Sequence, residues 1–152
     1  MVSPPLACCA LSTEHYFAWS QDPLPHVVEE VQAEEPEPPP PTLEEQIKAG
    51  DKSTTTIKAF IEEQAKIYEV KPELATAIVK AESSFIHNAK NPKSSASGIW
   101  QFIDSTFLGY CSEDLTVKND PVVQTHCALK ILQEPGGFHH WDESKRSWYH
   151  YL

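Results

Sequence analysis

The sequence predicts a small all-α domain at residues 43–152, preceded by an acidic, proline-rich segment at residues 1–42. Three observations predict this fold class. Apolar residues recur every three or four positions in several stretches, which is the period of a helix with one buried face. Prolines and capping residues stand where those stretches begin. No stretch alternates between apolar and polar residues as a half-buried strand does. Roughly one hundred residues are enough for a single small core.

The first helices follow in chain order. A short helix is predicted at residues 43–49, and a second from Ser53 or Thr54 onward. Pro72 suits the first turn of a third helix, which should fade near His87. The inward face of the second helix is predicted to hold Ile57, Phe60, Ile61 and Tyr68.

The second half of the domain continues the helical pattern. Asp104 or Ser105 can cap a short helix, and Asp120 followed by Pro121 is a strong start signal for a longer one. Its inward residues are predicted to be Val122, Leu129 and Leu132. The C-terminal tail is predicted to form one or two more helical turns, capped at Asp142.

The N-terminal segment differs in composition from the rest. Residues 1–42 hold nine of the thirteen prolines, and residues 1–50 carry a net charge of −8 against −2 for residues 51–152. Such a segment favours a disordered, extended spacer. Binding of a cell-envelope protein partner is the less favoured alternative use. Without a basic stripe to neutralise phosphates, nucleic acid is not an expected partner.

The sequence gives only indirect evidence of the cellular compartment in which the protein resides. No apolar run reaches the roughly 20 residues of a membrane-spanning helix. Leu6-Ala7-Cys8-Cys9 partly matches the acylation site of exported lipoproteins, and we interpret it as a degenerate export signal, with plain disorder as the alternative. Cys111 and Cys127 are candidates for a disulfide, which would fit an extracytoplasmic setting, although two free thiols remain an alternative.

Glu82 is the candidate catalytic residue. It shares a helical stripe with Leu74, Ile78 and Phe85. Burial there would raise the pKa of its carboxyl and keep a proton available for a leaving oxygen. A structural glutamate satisfied by nearby hydroxyls is the alternative.

Two motifs that follow one another along the chain favour a catalytic over a structural role for Glu82. Glu82-Ser83 is followed by a polar loop and then by Gly98-Ile99-Trp100-Gln101. Over residues 53–110 the chain resembles the SLT-type lytic transglycosylases, relatives of goose-type lysozyme. The resemblance implies a lysozyme-like fold and non-hydrolytic cleavage of the MurNAc-β-1,4-GlcNAc bond of bacterial peptidoglycan, leaving 1,6-anhydro-MurNAc ends, with Glu82 as sole acid and base and no cofactor. A hydrolysing muramidase and a non-catalytic peptidoglycan-binding domain are the alternatives.

The resemblance also implies which residues contact the glycan. It assigns Gln101 to substrate, and an amide suits an N-acetyl sugar. We extend substrate contact to Ser83, Gly98, Trp100 and Phe102. A polar turn of helix explains Ser83 equally well, and core packing is the commoner fate of an aromatic such as Trp100.

The third family motif, Ala-Tyr-Asn-Ala-Gly, does not occur in this chain. In its place stands a segment from Gly136 that includes His140 and Trp141, and we interpret these two as further cleft residues. The scattered histidines, at positions 126, 139 and 140, show no tight ligand spacing with the cysteines, so no metal site is predicted.

Overall fold

The computed structural model describes residues 37–152. The degenerate export signal at residues 6–9 and nearly all of the proline-rich segment lie outside these residues. Residues from Pro38 to Leu152 form one compact unit.

The part of the chain that the structure describes contains helices and no β-strand. Two isolated bridges, Lys90 with Ser97 and Ser97 with Phe102, are its only β pairings. The all-α prediction is therefore confirmed. The α-helices are α1 (Leu43–Lys48), α2 (Thr54–Ile67), α3 (Pro72–Ser83), α4 (Asp104–Tyr110) and α5 (Pro121–Gln133). Three 3₁₀ segments complete the fold: Leu115–Val117, Gly137–Ser147 and Tyr149–Tyr151.

Local capping chemistry explains where the helices begin. Thr42 and Glu45 form a reciprocal capping box at the start of α1. The Ser53 hydroxyl accepts the Thr56 N–H at the start of α2. Asp120 accepts the N–H groups of the first turn of α5, which begins with a proline. These contacts satisfy N–H groups that a helix end would otherwise leave unpaired.

Helix α3 ends earlier than the sequence predicts. Instead of fading near His87, it stops at Ser83, because Ser84 and Phe85 both adopt left-handed backbone conformations with φ of 52° and 65°. A left-handed residue after the last turn is a common way to end a helix. Glu82 therefore lies in the last turn of α3, next to the chain reversal.

Two predicted caps are wrong. Helix α4 begins after Ile103 without a side-chain cap, and Asp104 instead pairs with the ammonium of Lys118 at 2.6 Å. Asp142 lies inside the 3₁₀ segment Gly137–Ser147, where its carboxylate contacts His139 Nδ1 at 2.9 Å. The segment has 3₁₀ rather than α geometry and is interrupted at Trp141, whose buried side chain takes a non-helical backbone conformation.

The core is built from the inward faces of α2, α3 and α5 and from a set of aromatic side chains. Val122 and Leu129 are buried as predicted, whereas Leu132 is only partly buried at the edge of the core. The largest fully buried side chains are Trp100, Trp148, Phe60 and Phe107. Since each buried aromatic removes 150–250 Å² from water, roughly, these four contribute strongly to stability.

A disulfide joins Cys111, which follows α4, to Cys127 in α5, with the two Cα atoms 5.2 Å apart. It covalently links the C-terminal end of α4 to α5. Within residues 37–152, no helix combines the length and the hydropathy required to cross a bilayer.

Candidate active site

Glu82 is a half-buried acid in the last turn of α3. Its helix neighbours Ile78 and Val79 are fully buried, while Ala81 beside it is exposed. The predicted stripe is present within α3 at Leu74 and Ile78, which are buried, whereas Phe85 lies beyond the end of the helix. Glu82 stands where this stripe meets solvent.

The surroundings of Glu82 favour its protonated form. Desolvation by burial raises the pKa of the carboxyl, a polar contact with the Ser144 hydroxyl lowers it in part, and the negative charge of Glu143 raises it again. A carboxyl held protonated closer to neutrality is suited to protonate a leaving oxygen.

Ser83 fixes the acid-bearing helix to the segment that carries the second motif. Its buried hydroxyl donates to the Ile99 carbonyl at 2.8 Å and lies 3.2 Å from the Val79 carbonyl. The hydroxyl is therefore engaged with backbone. This arrangement supports a structural link between α3 and residues 97–102, which we call the signature turn.

Gly98 starts the signature turn with φ of +81°, a conformation that favours glycine. A Cβ atom at this position would overlap the side-chain amide of Gln124. The sequence predicts substrate contact at Gly98. In the structure the buried side chain of Gln124, from α5, packs against it.

Among residues 37–152, the side-chain oxygen of Gln101 has no hydrogen-bond partner. Its Nε2 donates to the carbonyls of Gly98 at 2.8 Å and Ala89 at 3.2 Å, and the side chain is partly exposed. These two acceptors fix the orientation of the amide and leave Oε1 as an acceptor. The N–H of an acetamido group is a suitable donor to it.

The aromatic residues of the motif form a buried support. Trp100 is fully buried, and Phe102 and Trp141 are 3% and 4% exposed. The ring of Trp141 lies 5.4 Å from that of Trp100 and 5.7 Å from that of Phe102, centroid to centroid. Its indole N–H donates to the Trp100 carbonyl at 2.9 Å. Core packing, the alternative for Trp100, fits this geometry better than direct stacking on a sugar.

His140 differs from these three because it is exposed. Its ring packs edge-on against Tyr110, with the centroids 5.1 Å apart. An exposed aromatic pair of this kind is accessible to a ligand.

Glu143 and Ser144 are neighbours of Glu82 that the sequence did not reveal. They follow Glu82 by about sixty positions and lie in a segment interpreted as plain helix. No spacing rule relates the two places, so only the packing of the 3₁₀ segment against α3 brings them together. The Ser144 hydroxyl also accepts the indole N–H of Trp148 at 2.9 Å.

In this helical domain a half-buried acid stands next to Ser83, which is bonded to the turn that carries an oriented amide, and such an arrangement is compatible with a lysozyme-like site. The transglycosylase SLT domain family matches residues 59–138, just over half of the chain, and this range includes Glu82 and all of the signature turn. The chain belongs to the transglycosylase SLT domain family. Neither a comparison with curated proteins nor one with solved structures gave a match. Membership of the family supports an enzyme that acts on peptidoglycan.

Proposed function

We propose that the protein is a peptidoglycan lytic transglycosylase that cleaves the MurNAc-β-1,4-GlcNAc bond and leaves 1,6-anhydro-MurNAc ends. The observation that carries the proposal is the half-buried carboxyl of Glu82, whose pKa is raised by desolvation, in a domain of this family. Gln101, whose Oε1 accepts no hydrogen bond from the part of the chain that the structure describes, supports recognition of an N-acetyl sugar.

The reaction needs one protein acid that acts twice. Protonated Glu82 gives its proton to the glycosidic oxygen as the bond from that oxygen to the anomeric carbon breaks. The acetamido oxygen of the substrate stabilises the anomeric carbon by attacking it. The 6-hydroxyl then replaces the acetamido oxygen at that carbon, while the Glu82 carboxylate takes the hydroxyl proton. The acid is thus restored without consuming water.

A hydrolysing muramidase is the second candidate, and Glu143 favours it. Glycoside hydrolysis commonly uses two carboxylates. Glu143 is exposed, and its charge acts on Glu82, so it could activate a water molecule for attack. Both reactions use Glu82 as the acid, so the products of digestion distinguish them.

An extracytoplasmic location follows from the proposed substrate and agrees with the Cys111–Cys127 disulfide. The acidic, proline-rich segment would then act as a spacer between the catalytic domain and another surface.

The test is digestion of purified sacculi in H₂¹⁸O with mass analysis of the products. Transglycosylation yields anhydro ends one water lighter and free of ¹⁸O, whereas hydrolysis yields reducing ends that carry ¹⁸O. Glu82→Gln should reduce product formation by about 10²- to 10⁴-fold. Glu63→Gln, at an exposed position of α2, is the matched control and should retain activity.

Labelled reducing ends would replace the proposal with the muramidase. A wild-type protein that binds sacculi and releases nothing would identify a non-catalytic binding domain.

A further inference from the structure

Gln124, in the first turns of α5, is a fully buried amide that no sequence motif singles out. Its Oε1 accepts the Trp100 N–H at 2.8 Å. Its Nε2 donates to the Ser97 carbonyl at 2.9 Å and also to the Lys118 carbonyl. Both N–H groups and the oxygen of the amide are therefore used.

Burying an amide is unfavourable unless it is fully hydrogen-bonded, so three partners at one side chain indicate a specific structural task. Two of the three partners, Ser97 and Trp100, lie on either side of Gly98 and Ile99. One side chain thus holds the signature turn at two points. The absence of a Cβ at Gly98 is what allows the amide to come this close.

Gln101 lies next to this attachment in the chain. Gln101 follows Trp100 directly, has φ of +53°, and returns its side chain to the Gly98 carbonyl. A non-glycine residue in this conformation persists when its surroundings hold it there. The Ile99 carbonyl, between the two attached residues, accepts the Ser83 hydroxyl and so connects the same turn to the helix of Glu82.

We propose that Gln124 is a positioning residue: by holding the backbone of Ser97 and Trp100 it sets where Gln101 stands relative to Glu82. Its effect on turnover rests on the proposed function. Its effect on the geometry of the turn does not.

The first experiment compares Gln124→Met with Leu129→Ala. Methionine matches glutamine in length and makes none of the three hydrogen bonds. Leu129 is fully buried in the same helix, and its apolar side chain makes no hydrogen bond to the turn, so its truncation controls for lost stability. At a temperature where both variants are folded by circular dichroism, Gln124→Met should lower kcat/KM on sacculi about 10- to 100-fold, and Leu129→Ala by less than about threefold.

A double-mutant cycle with Gln101→Ala separates positioning from general damage. If Gln124 acts through Gln101, Gln124→Met should lower the activity of the Gln101→Ala protein by less than about threefold. Independent, multiplying losses would overturn the proposal, as would a loss in Leu129→Ala equal to that in Gln124→Met.

Amide hydrogen exchange decides the geometric part whether or not the protein is active. In Gln124→Met the Trp100 N–H should exchange faster by more than the global loss of stability explains, and the NMR shift of the Gln101 side-chain amide should move. Unchanged protection and shift would overturn the proposal, while a wild type inactive on sacculi would contradict only the proposed function.

If Gln124→Met does not fold, Gln124→Glu provides the same test. It keeps the acceptor for Trp100 and, when protonated, one donor. The Trp100 N–H should therefore stay protected, while the loss of one donated bond should lower kcat/KM on sacculi and move the NMR shift of the Gln101 side-chain amide; wild-type values for kcat/KM and for this shift would overturn the proposal.

Discussion

Two regions contact the last turn of α3, which carries Glu82, and different interactions hold each of them in place. The signature turn, residues 97–102, is fastened through its backbone by buried polar side chains of two helices, Ser83 and Gln124. The 3₁₀ segment Gly137–Ser147 is fastened by the indole of Trp141 and carries exposed charged groups such as Glu143 beside the acid. On the proposed function the two regions have different tasks: the signature turn sets the geometry of the site, and the 3₁₀ segment adjusts the electrostatics of Glu82.

The family match also separates the two regions. It includes the whole signature turn and stops at residue 138, at the second residue of the 3₁₀ segment. The turn is therefore the part of the site that this chain shares with its family, and Trp141, Glu143 and Ser144 lie beyond the matched range.

Replacing Trp141 should have the largest effect on stability. Trp141→Ala removes a buried indole, its contacts with Trp100 and Phe102, and its bond to the Trp100 carbonyl. Losses of about 3–5 kcal/mol are typical of such truncations. Urea unfolding followed by circular dichroism measures the change in the free energy of unfolding. Trp141→Phe keeps an aromatic ring without the N–H and should cost less; equal stability of Trp141→Ala and wild type would show that the indole does not hold the segment.

The contrast between the regions also explains what the sequence could predict. Helices with ordinary start signals, such as Asp120 and Pro121 at the start of α5, are predictable because a cap acts over a few neighbouring residues. Glu82 and the signature turn were recognised because their motifs are local as well. Gln124 and Glu143 were missed because their roles depend on partners tens of residues away in the chain.

The C-terminal segment shows that a local sequence signal can also mislead. Asp142 is a good capping residue by type, and the sequence predicts a cap there. In the structure the burial of Trp141 and Trp148 determines the backbone path, so tertiary packing overrides the local signal.

Loss of the Cys111–Cys127 disulfide should be the next largest effect. The bond closes a loop with a sequence separation of 16 residues. In the chain-entropy model such a loop is worth about 3 kcal/mol. The double variant Cys111→Ala/Cys127→Ala, and wild type in reductant, should both melt at a lower temperature than oxidised wild type. The double variant itself should not respond to reductant, and a wild type indifferent to reductant would contradict the prediction.

The stability of the fold should respond to the charge of Glu82 by a smaller amount. Because burial raises the pKa of this carboxyl in the folded state, the folded chain holds the proton more tightly than the unfolded chain. Stability therefore falls as pH rises from the unfolded pKa through the raised folded one. Below that pH window Glu82 is protonated in both the folded and the unfolded chain, so its titration does not change the free energy of unfolding.

Glu82→Gln removes this dependence. The variant should melt close to wild type at pH 4 and above it at pH 7, as measured by thermal unfolding at both values. Glu63→Gln is the control, since Glu63 lies exposed on α2. If Glu82→Gln raised the melting temperature more at pH 4 than at pH 7, the conclusion that burial raises the pKa of Glu82 would be wrong.

The smallest expected effect is that of Glu143, and it decides between the two proposed reactions. If Glu143 only adjusts the field at the acid, Glu143→Gln lowers the pKa of Glu82, because the negative charge of Glu143 raises it. The alkaline limb of the kcat/KM profile on sacculi should then move to lower pH, with the maximum rate little changed. If Glu143 instead activates a water molecule, the same variant should lose activity about 10²- to 10⁴-fold at every pH. Such a loss, together with labelled reducing ends in H₂¹⁸O, would show that the 3₁₀ segment takes a direct part in catalysis. It would contradict the view that this segment only adjusts the electrostatics of Glu82. Glu113→Gln, at an exposed position before Leu115–Val117, is the matched control and should leave the profile unchanged.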